Sequence, residues 1–358
     1  MKEIAQRRRT RQVHYRNVPV GGSSPITIQS MVTSPASDVK RALREIRALS
    51  RAGCELVRVA VKERADIEAL PTICDASPIP VIADVHFDYR LAIDSAKAGA
   101  AGLRINPGNI GGAAKVRGVV EAAASAGIPI RVGVNSGSIE KDLREAARTD
   151  PARALVASAE RSRELIEGMG FRDLVFSLKS PDALVTVRAN RLFAAGNDYP
   201  LHLGVTEAGP PLSGTAKSAV ALTMLLSEGI GDTVRVSLSG NPAGEVMVAA
   251  VVLSALGLRK DIPRIISCPT CGRSRIDVFR IAERLERRIM GRRKDITVAV
   301  MGCEVNGPGE AKEADIGVAG TRGGAVLFEK GKIVKRLKGN FTEEFIREVH
   351  NFMHAKGK

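Results

Sequence analysis

Residues 81–106 read VIADVHFDYRLAIDSAKAGAAGLRIN. The stretch opens on an apolar run, 81–87, and closes on a second, 102–106. Between them, 90–98 carries apolar residues at helical spacing and stops at Gly99, a residue type that ends helices without steric cost. Strand, helix and strand joined by short links make a parallel pair with a right-handed crossover. Both strands end on polar residues: Asp84 and His86 in the first, Arg104 and Asn106 in the second.

Outward from this unit the pattern repeats. Runs at 27–31, 55–61, 130–135, 174–179, 201–207 and 234–238 bring the strands to eight, most of them rich in Val, Ile and Leu. Helical patterns at 37–51, 113–126, 151–169 and 216–228 lie between them and close at Gly53, Gly127, Gly170 and Gly229. Asp150-Pro151 supplies an N-cap and a proline for the first helical position. Eight strand–helix units in roughly 250 residues predict a TIM (β/α)8 barrel. The competing doubly wound sheet lacks its Gly-rich dinucleotide turn after the first strand. Aromatic residues are 3% of the chain and Trp is absent, so small branched side chains must fill the core.

The pattern changes at Arg259-Lys260-Asp261. Beyond it, 274–290 is helical and basic, short β-type runs follow at 296–300, 316–319 and 325–328, the last continuing past a Gly331 turn, and 341–354 closes as a helix. The expected organisation is a barrel over 1–258 and a small α+β domain over 259–358.

The net charge is +15. The last hundred residues hold 22 basic and 13 acidic side chains, a net of +9, which leaves +6 for the rest. Nucleic acid is one partner such a charge suits, but the aromatic–basic interleaving of single-strand binders and the spacings of helix-turn-helix or zinc-finger modules are missing. An anionic small molecule or an acidic protein fits as well. No run is apolar enough to cross a membrane and no apolar stretch follows the basic N-terminus, so a cytoplasmic location is expected.

Polar residues crowd the C-terminal end of nearly every barrel strand: Arg58, Asp84, His86, Arg104, Asn106, Arg131, Asn135, Ser177, Lys179, His202, Thr206, Glu207, Arg235 and Ser237. In a barrel these ends converge on the active-site face. Any one of them reads as a satisfied buried polar group. Five cations together (Arg58, Arg104, Arg131, Lys179, Arg235) repel one another unless an anion joins them, and a substrate with two phosphates supplies it.

Five cysteines in a chain with no evident secretory signal argue against a disulfide framework. Ser267-Cys268-Pro-Thr-Cys271-Gly lets one loop present two thiolates to one centre, and 31 residues separate Cys271 from Cys303 in Gly302-Cys303-Glu-Val-Asn306-Gly-Pro-Gly-Glu310. A zinc site needs a fourth Cys or His, and no His lies near in sequence. A 4Fe-4S cluster on three thiolates plus a weaker ligand such as Glu310 is the other reading. Cys54 and Cys74 read as packing thiols.

Here the chain resembles the 4-hydroxy-3-methylbut-2-enyl diphosphate synthase family of the non-mevalonate isoprenoid (terpenoid) pathway, in its bacterial two-domain form. The resemblance runs from Thr10-Arg11 to about Gly320. It rests on Ile28-Gln-Ser-Met31, Arg104-Ile-Asn-Pro-Gly-Asn-Ile-Gly111, Gly133-Val-Asn-Ser-Gly137, Leu201-His-Leu-Gly-Val-Thr-Glu-Ala-Gly209, Leu225-Leu-Ser-Glu-Gly-Ile-Gly-Asp232, the Cys268 motif and Asn306-Gly-Pro-Gly-Glu-Ala311. After Met31 this chain departs from the family's Thr/Asn-rich pattern and reads Val32-Thr-Ser-Pro-Ala-Ser37.

The resemblance implies an oxidoreductase that opens 2-C-methyl-D-erythritol 2,4-cyclodiphosphate to 4-hydroxy-3-methylbut-2-enyl diphosphate. It implies a 4Fe-4S cluster on Cys268, Cys271, Cys303 and Glu310, and a homodimer in which one subunit's cluster domain covers the partner's barrel. The cations are then expected to hold the cyclic diphosphate with Asn106, Asn135, Ser177, His202, Thr206, Ser237 and Asn306. Glu207 and His86 are expected to handle protons, with Asp84 orienting His86 and Glu310 yielding its place to substrate. Electrons are expected from flavodoxin or ferredoxin, docked on the basic face of 274–294 (Arg275, Arg280, Arg284, Arg287, Arg288, Arg292, Arg293, Lys294). A cluster-free transferase of the pterin-binding barrel type and a nucleic-acid binder are the rival readings.

Overall fold

A computed structural model describes residues 5–304 and 311–355. Contacts divide the chain into two compact units, Met1–Leu258 and Arg259–Lys358.

The first unit opens with a hairpin of β1 (Gln12–Tyr15) and β2 (Val18–Gly21). Then come β3 (Thr27–Met31), α1 (Val39–Arg51), β4 (Leu56–Ala60), α2 (Arg64–Ala76), β5 (Val81–Asp84), α3 (Tyr89–Lys97) and β6 (Gly102–Ile105). A short α4 (Pro107–Ile110) precedes α5 (Ala113–Ala126), β7 (Ile130–Asn135), α6 (Arg144–Thr149), α7 (Pro151–Glu167) and β8 (Leu174–Lys179). The unit ends with α8 (Ala183–Gly196), β9 (His202–Leu203), α9 (Pro211–Ser227), β10 (Thr233–Val234) and α10 (Pro242–Ala255).

Strands β3 to β10 form one parallel sheet in the order β8-β7-β6-β5-β4-β3-β10-β9. A bridge between Phe176 and Leu201 brings β8 back to β9, so the sheet nearly closes into a TIM barrel. Val13, Tyr15 and Val20 of the hairpin pack on Leu56, Ile82, Ala101 and Val175, at or near the starts of their strands, and so cover the barrel floor. Asp and Asn side chains start most of the helices: Asp38, Asp88, Asn106, Asp150, Asp182 and Asn241 each accept a backbone N–H of the first turn.

Three expectations need correction. The run 201–207 is a strand only at His202–Leu203, and 234–238 only at Thr233–Val234. Gly204 shows the cause at β9: a Cβ there would meet the Arg235 carbonyl oxygen at 2.2 Å, so the two backbones close on each other and the ladder stops. Likewise 81–87 is a strand only to Asp84, and His86 lies in a bend. Helices α2, α8 and α10 were not anticipated. Pro71 inside α2 breaks its pattern, and α10 is apolar nearly all round, which erases helical periodicity.

The second unit is a mixed sheet of β11 (Arg264–Ser267), β12 (Thr297–Met301), β13 (Ile316–Thr321), β14 (Gly324–Glu329) and β15 (Lys332–Leu337), in that order. The first three strands are parallel and the last three antiparallel. Helices α11 (Val278–Ile289) and α12 (Thr342–Ala355) bury Ile281, Leu285, Phe345 and Val349 against Val298, Val300, Val318 and Leu327. Ala299, Met301, Ala319 and Phe328 form a smaller core on alternate residues of the same strands, with Cys268 packed against it.

Candidate active site

Register assembles the deepest layer of the barrel mouth. Asp84 pairs with Arg104 across β5 and β6, and Arg58 sits on the adjacent β4. The Asp84 carboxylate, 1% exposed, receives Arg104 Nη1 at 3.1 Å on one oxygen and Arg58 Nε at 3.1 Å on the other. His86 Nε2 lies 3.5 Å from Asp84 and 2.9 Å from Arg104 Nη1. Burial alone would push the Asp84 carboxyl up; Arg58, His86 and Arg104 outweigh it and hold it well below the usual carboxylate range. The Arg104 side chain runs over Gly133, where any Cβ would come within 2.5 Å of its Nε. With its amide turned over, the orientation that suits its neighbours, Asn135 accepts from Arg104 Nη2 at 3.2 Å through its side-chain oxygen.

Arg131 crosses the barrel. It leaves β7 and donates from Nη1 to Gln29 Oε1 at 3.0 Å on β3, four strands away round the sheet. It is 1% exposed and its Nε has no partner. Burial, with Arg104 beside it, lowers its pKa to about 10. Lys179, also buried, has no carboxylate partner among the described residues; burial and then Arg131, Arg235, Arg58 and Arg104 push its ammonium well below the usual lysine value. Near it His202 is fully buried, with Nδ1 3.4 Å from Thr233 Oγ1 and Nε2 unpartnered. Burial above all, and then the cationic side chains around it, push this imidazole well below its ordinary value. Arg235 lies 3.5 Å from Glu245 of α10. The five cations thus share two carboxylates among the described residues, Asp84 and Glu245. Buried positive charge in that excess is a place for an anion.

The remaining candidates spread from the wall to the rim. Ser177 is buried and donates weakly to the Val132 carbonyl oxygen at 3.5 Å. Asn106 caps α4, accepting from Gly108 N at 3.1 Å, and donates to the Ser138 carbonyl oxygen at 3.4 Å, so its amide ties its own loop to the segment after β7. Thr206 and Glu207 occupy a turn past β9, and Ser237 lies past β10. Glu207 is exposed with φ of +50°. Among the described residues the other non-glycine positive φ values, at Arg16 and Lys330, belong to hairpin turns, whereas Glu207 carries this strain at the barrel mouth. Gln29, Gly133 and Glu245 were missed from sequence. Gln29 shared a motif with Met31, but nothing local marked it as the partner of an arginine 102 residues away.

In the second unit, β11 and β12 run parallel with Ser267 opposite Val300, so both chains leave the sheet at the same edge. Cys268 follows β11 directly and Cys303 follows β12 by two residues. Cys268 N donates to the Val300 carbonyl oxygen at 3.3 Å, Arg275 N to that of Gly302 at 2.7 Å, and Gly302 N to Cys268 Sγ at 3.1 Å. A Cβ on Gly302 would lie 2.6 Å from Ser274 Oγ, so glycine lets the two loops close. Cys303 is buried, Cys268 half-buried and Cys271 exposed. Among the described residues no three His, Cys, Asp or Glu side chains stand gathered as a finished metal site. Asn306 and Glu310 lie outside the described residues. Cys54 and Cys74 are buried in the barrel unit, and burial pushes their thiols up to about 12 and about 11, as suits packing groups.

Residues 10–250 match the GcpE TIM-barrel domain and residues 264–351 the GcpE protein C-terminal domain. The 4-hydroxy-3-methylbut-2-en-1-yl diphosphate synthase (flavodoxin) of Desulfotalea psychrophila is 49% identical over 97% of this chain and 96% of its own. That of Geobacter sulfurreducens is 49% identical over 97% and 99%. Among solved structures, the type I 3-dehydroquinate dehydratase of Clostridium difficile covers 69% of this chain and 98% of its own with a TM-score of 0.51 at 14% identity. Dihydropteroate synthase of Xanthomonas albilineans covers the same shares with a TM-score of 0.50, also at 14% identity. These two likenesses speak for the barrel alone. With both domain matches in chain order and near-full-length relatives at 49% identity, the chain belongs to the GcpE family.

Proposed function

We propose that this chain makes 4-hydroxy-3-methylbut-2-enyl diphosphate by reductive opening of 2-C-methyl-D-erythritol 2,4-cyclodiphosphate, as an oxidoreductase of isoprenoid biosynthesis. The relatives carry the synthase name with flavodoxin as donor. The observation that carries the substrate is the barrel mouth, where five cations share two carboxylates among the described residues. A cyclic diphosphate brings the missing negative charge. The pterin-type transferase shares only the fold with this chain.

The conversion takes up two electrons and two protons and releases one water. Arg58 and Arg104, fixed on Asp84, present guanidinium edges to one side of the diphosphate, and Lys179 with Arg131 and Arg235 to the other. Substrate binding relieves their mutual repulsion, so they need no carboxylate each. Asn135, Ser177, His202 and Ser237 orient the bound ligand, and neutral His202 has an unused Nε2 to offer. Proton delivery falls to the rim, where Glu207 and His86 are exposed while Arg104, Arg131 and Lys179 are buried.

The cysteine edge fits a 4Fe-4S cluster in donor chemistry: three thiols on two stitched loops, with a backbone N–H already donating to one sulfur. Cys268, Cys271 and Cys303 would hold it, with Glu310 as the fourth ligand. When bound, such a cluster supplies single electrons at low potential, which side chains do not. The flavodoxin docks, in this reading, on α11. Arg284 and Arg287 on it and Arg293 beyond its end are engaged by Glu343, Glu283 and Asp261, whereas Arg280 and Arg288 on it and Arg275 before it have no carboxylate partner among the described residues. Phe279, 72% exposed and next in sequence to Arg280, lines a groove of about 540 Å³ with Cys268, Glu283 and Glu286 and offers the donor an apolar contact. A homodimer with each cluster domain over the partner's barrel, and a cytoplasmic setting, belong to the same proposal.

Anaerobic purification with iron, sulfide and turnover assays tests it. About four irons and four sulfides per chain, with reductant-dependent conversion of the cyclodiphosphate, are expected. Zinc alone, or a reconstituted protein that leaves the substrate intact, would overturn it.

A further inference from the structure

We propose that Glu245 is a positioning residue for diphosphate binding, holding Arg235 where the barrel's own ladder has run out; the inference rests on reading the mouth as the diphosphate site.

Strand β10 is only two residues long. Thr233 and Val234 pair with Thr27 and Ile28 on one side and with His202 and Leu203 on the other. The last bond to the neighbouring strand is Arg235 N to the Leu203 carbonyl oxygen, at 3.0 Å. Close packing of the Arg235 carbonyl on Gly204 fixes the backbone at that point. It does nothing for the direction of the guanidinium or for the segment that carries Ser237.

Glu245 takes over there. It lies in the first turn of α10, which Asn241 caps by accepting from Ala243 N at 3.0 Å, with Pro242 at the first helical position. This start aims the side chain back toward the mouth, where it is 4% exposed. Oε1 accepts from Leu238 N at 2.9 Å, just beyond Ser237. Oε2 accepts from Ser30 Oγ of β3 at 3.2 Å and faces Arg235 Nη2 at 3.5 Å. One carboxylate therefore ties the end of β3 to the post-β10 segment, the seam where the ladder is shortest, and gives Arg235 its one carboxylate among the described residues. The Arg235 Nε has no partner, so the guanidinium keeps a free donor for a ligand. Asp84 plays the corresponding part for Arg58 and Arg104, but it sits on a strand within the ladder. Glu245 does the work from a helix.

The test is a double-mutant cycle on the cluster-loaded enzyme: Glu245→Ala, Arg235→Met and the pair, with KM, kcat, thermal midpoint and iron content for each. If Glu245 acts through Arg235, Glu245→Ala raises KM for the cyclodiphosphate about tenfold with kcat changed far less, as expected when one charge-assisted contact is misaimed. The same substitution then adds little on top of Arg235→Met. Full additivity of the two effects, or a loss of thermal stability with KM unchanged, would overturn the proposal. Glu245→Gln covers the case in which the alanine variant fails to fold. It keeps an acceptor for Leu238 N and loses the charge opposite Arg235, so an intermediate rise in KM is expected, and a wild-type KM counts against the idea. A wild type that does not bind the cyclodiphosphate defeats the parent reading instead.

Discussion

The barrel mouth and the cysteine edge are built on opposite plans. In the mouth, the cations hang from strands or the segments just past them, and side chains of the same unit aim them: Asp84 for Arg58 and Arg104, Gln29 for Arg131, Glu245 for Arg235. The protein sets this geometry by itself and leaves a surplus of positive charge. At the cysteine edge the donors sit on loops, at three grades of exposure, with a few backbone bonds drawing the loops together. The difference teaches which site a single substitution damages by degrees and which it damages outright. A mouth with five cations loses part of its attraction when one goes. The four-ligand centre proposed here would lose its coordination with one sulfur removed.

The largest effect expected is therefore at Cys303. Cys303→Ala should purify folded, with iron and sulfide content well below wild type and turnover beneath detection. A variant with full iron and normal rate would erase the contrast. Next comes Lys179→Met, which removes a buried cation without a carboxylate partner among the described residues. Turnover at low substrate should fall roughly ten- to a hundredfold, the size of a lost charge-assisted bond to an anion, with iron content unchanged. An unaltered KM would mean that the diphosphate lies elsewhere.

The contrast also explains what the sequence could and could not reveal. Asp84, Arg104, Arg131 and Lys179 were legible because a barrel strand that ends in a charge has one place to put it. Cys268 and Cys271 stood out by their short spacing, and the parallel pairing of β11 and β12 brings the Cys303 loop out at the same sheet edge. Glu207 was found, but as a strand residue. The closure of Gly204 on Arg235 that ends β9 is a contact across 31 positions, and no local pattern encodes it. Glu245 escaped for a related reason: α10 is too uniformly apolar to show its period, so the one acid in its first turn had no assigned direction. Partners set by topology were invisible; residues set by period or spacing were not.

Gly133 tests how tightly the mouth is set. Gly133→Ala places a methyl group 2.5 Å from Arg104 Nε. Overpacking of this kind costs about 1–3 kcal/mol of stability. Arg104 must also swing from Asp84 and Asn135, so KM should rise severalfold more than in a surface control of equal stability loss. A thermal shift with normal KM would show that Arg104 relocates without harm. A smaller effect is expected on the other site. Arg280→Glu with Arg288→Glu should slow turnover with flavodoxin a few fold, more at low salt than high, and leave turnover with a chemical reductant unchanged. Equal slowing with both donors would place the damage in the fold.

The smallest signal is a proton. Burial, with Arg131, Arg235, Arg58 and Arg104 around it, holds the free Lys179 ammonium well below its ordinary value. In the pH window between that lowered value and the unfolded one, the unfolded chain binds more protons than the folded one. This residue's contribution to stability therefore rises with pH through the window and is lost as pH falls through the folded value. A diphosphate reverses the balance, because its charge favours the ammonium and raises the pKa. Binding must then draw up to one proton from the buffer inside the window. Calorimetric titration of the wild type with the cyclodiphosphate in two buffers of different ionisation heat measures that number directly, and affinity should weaken as pH rises. The uptake should vanish in Lys179→Met. If the wild type binds with no uptake at any pH, Lys179 is charged before the ligand arrives, and the mouth holds its surplus without the relief argued for it.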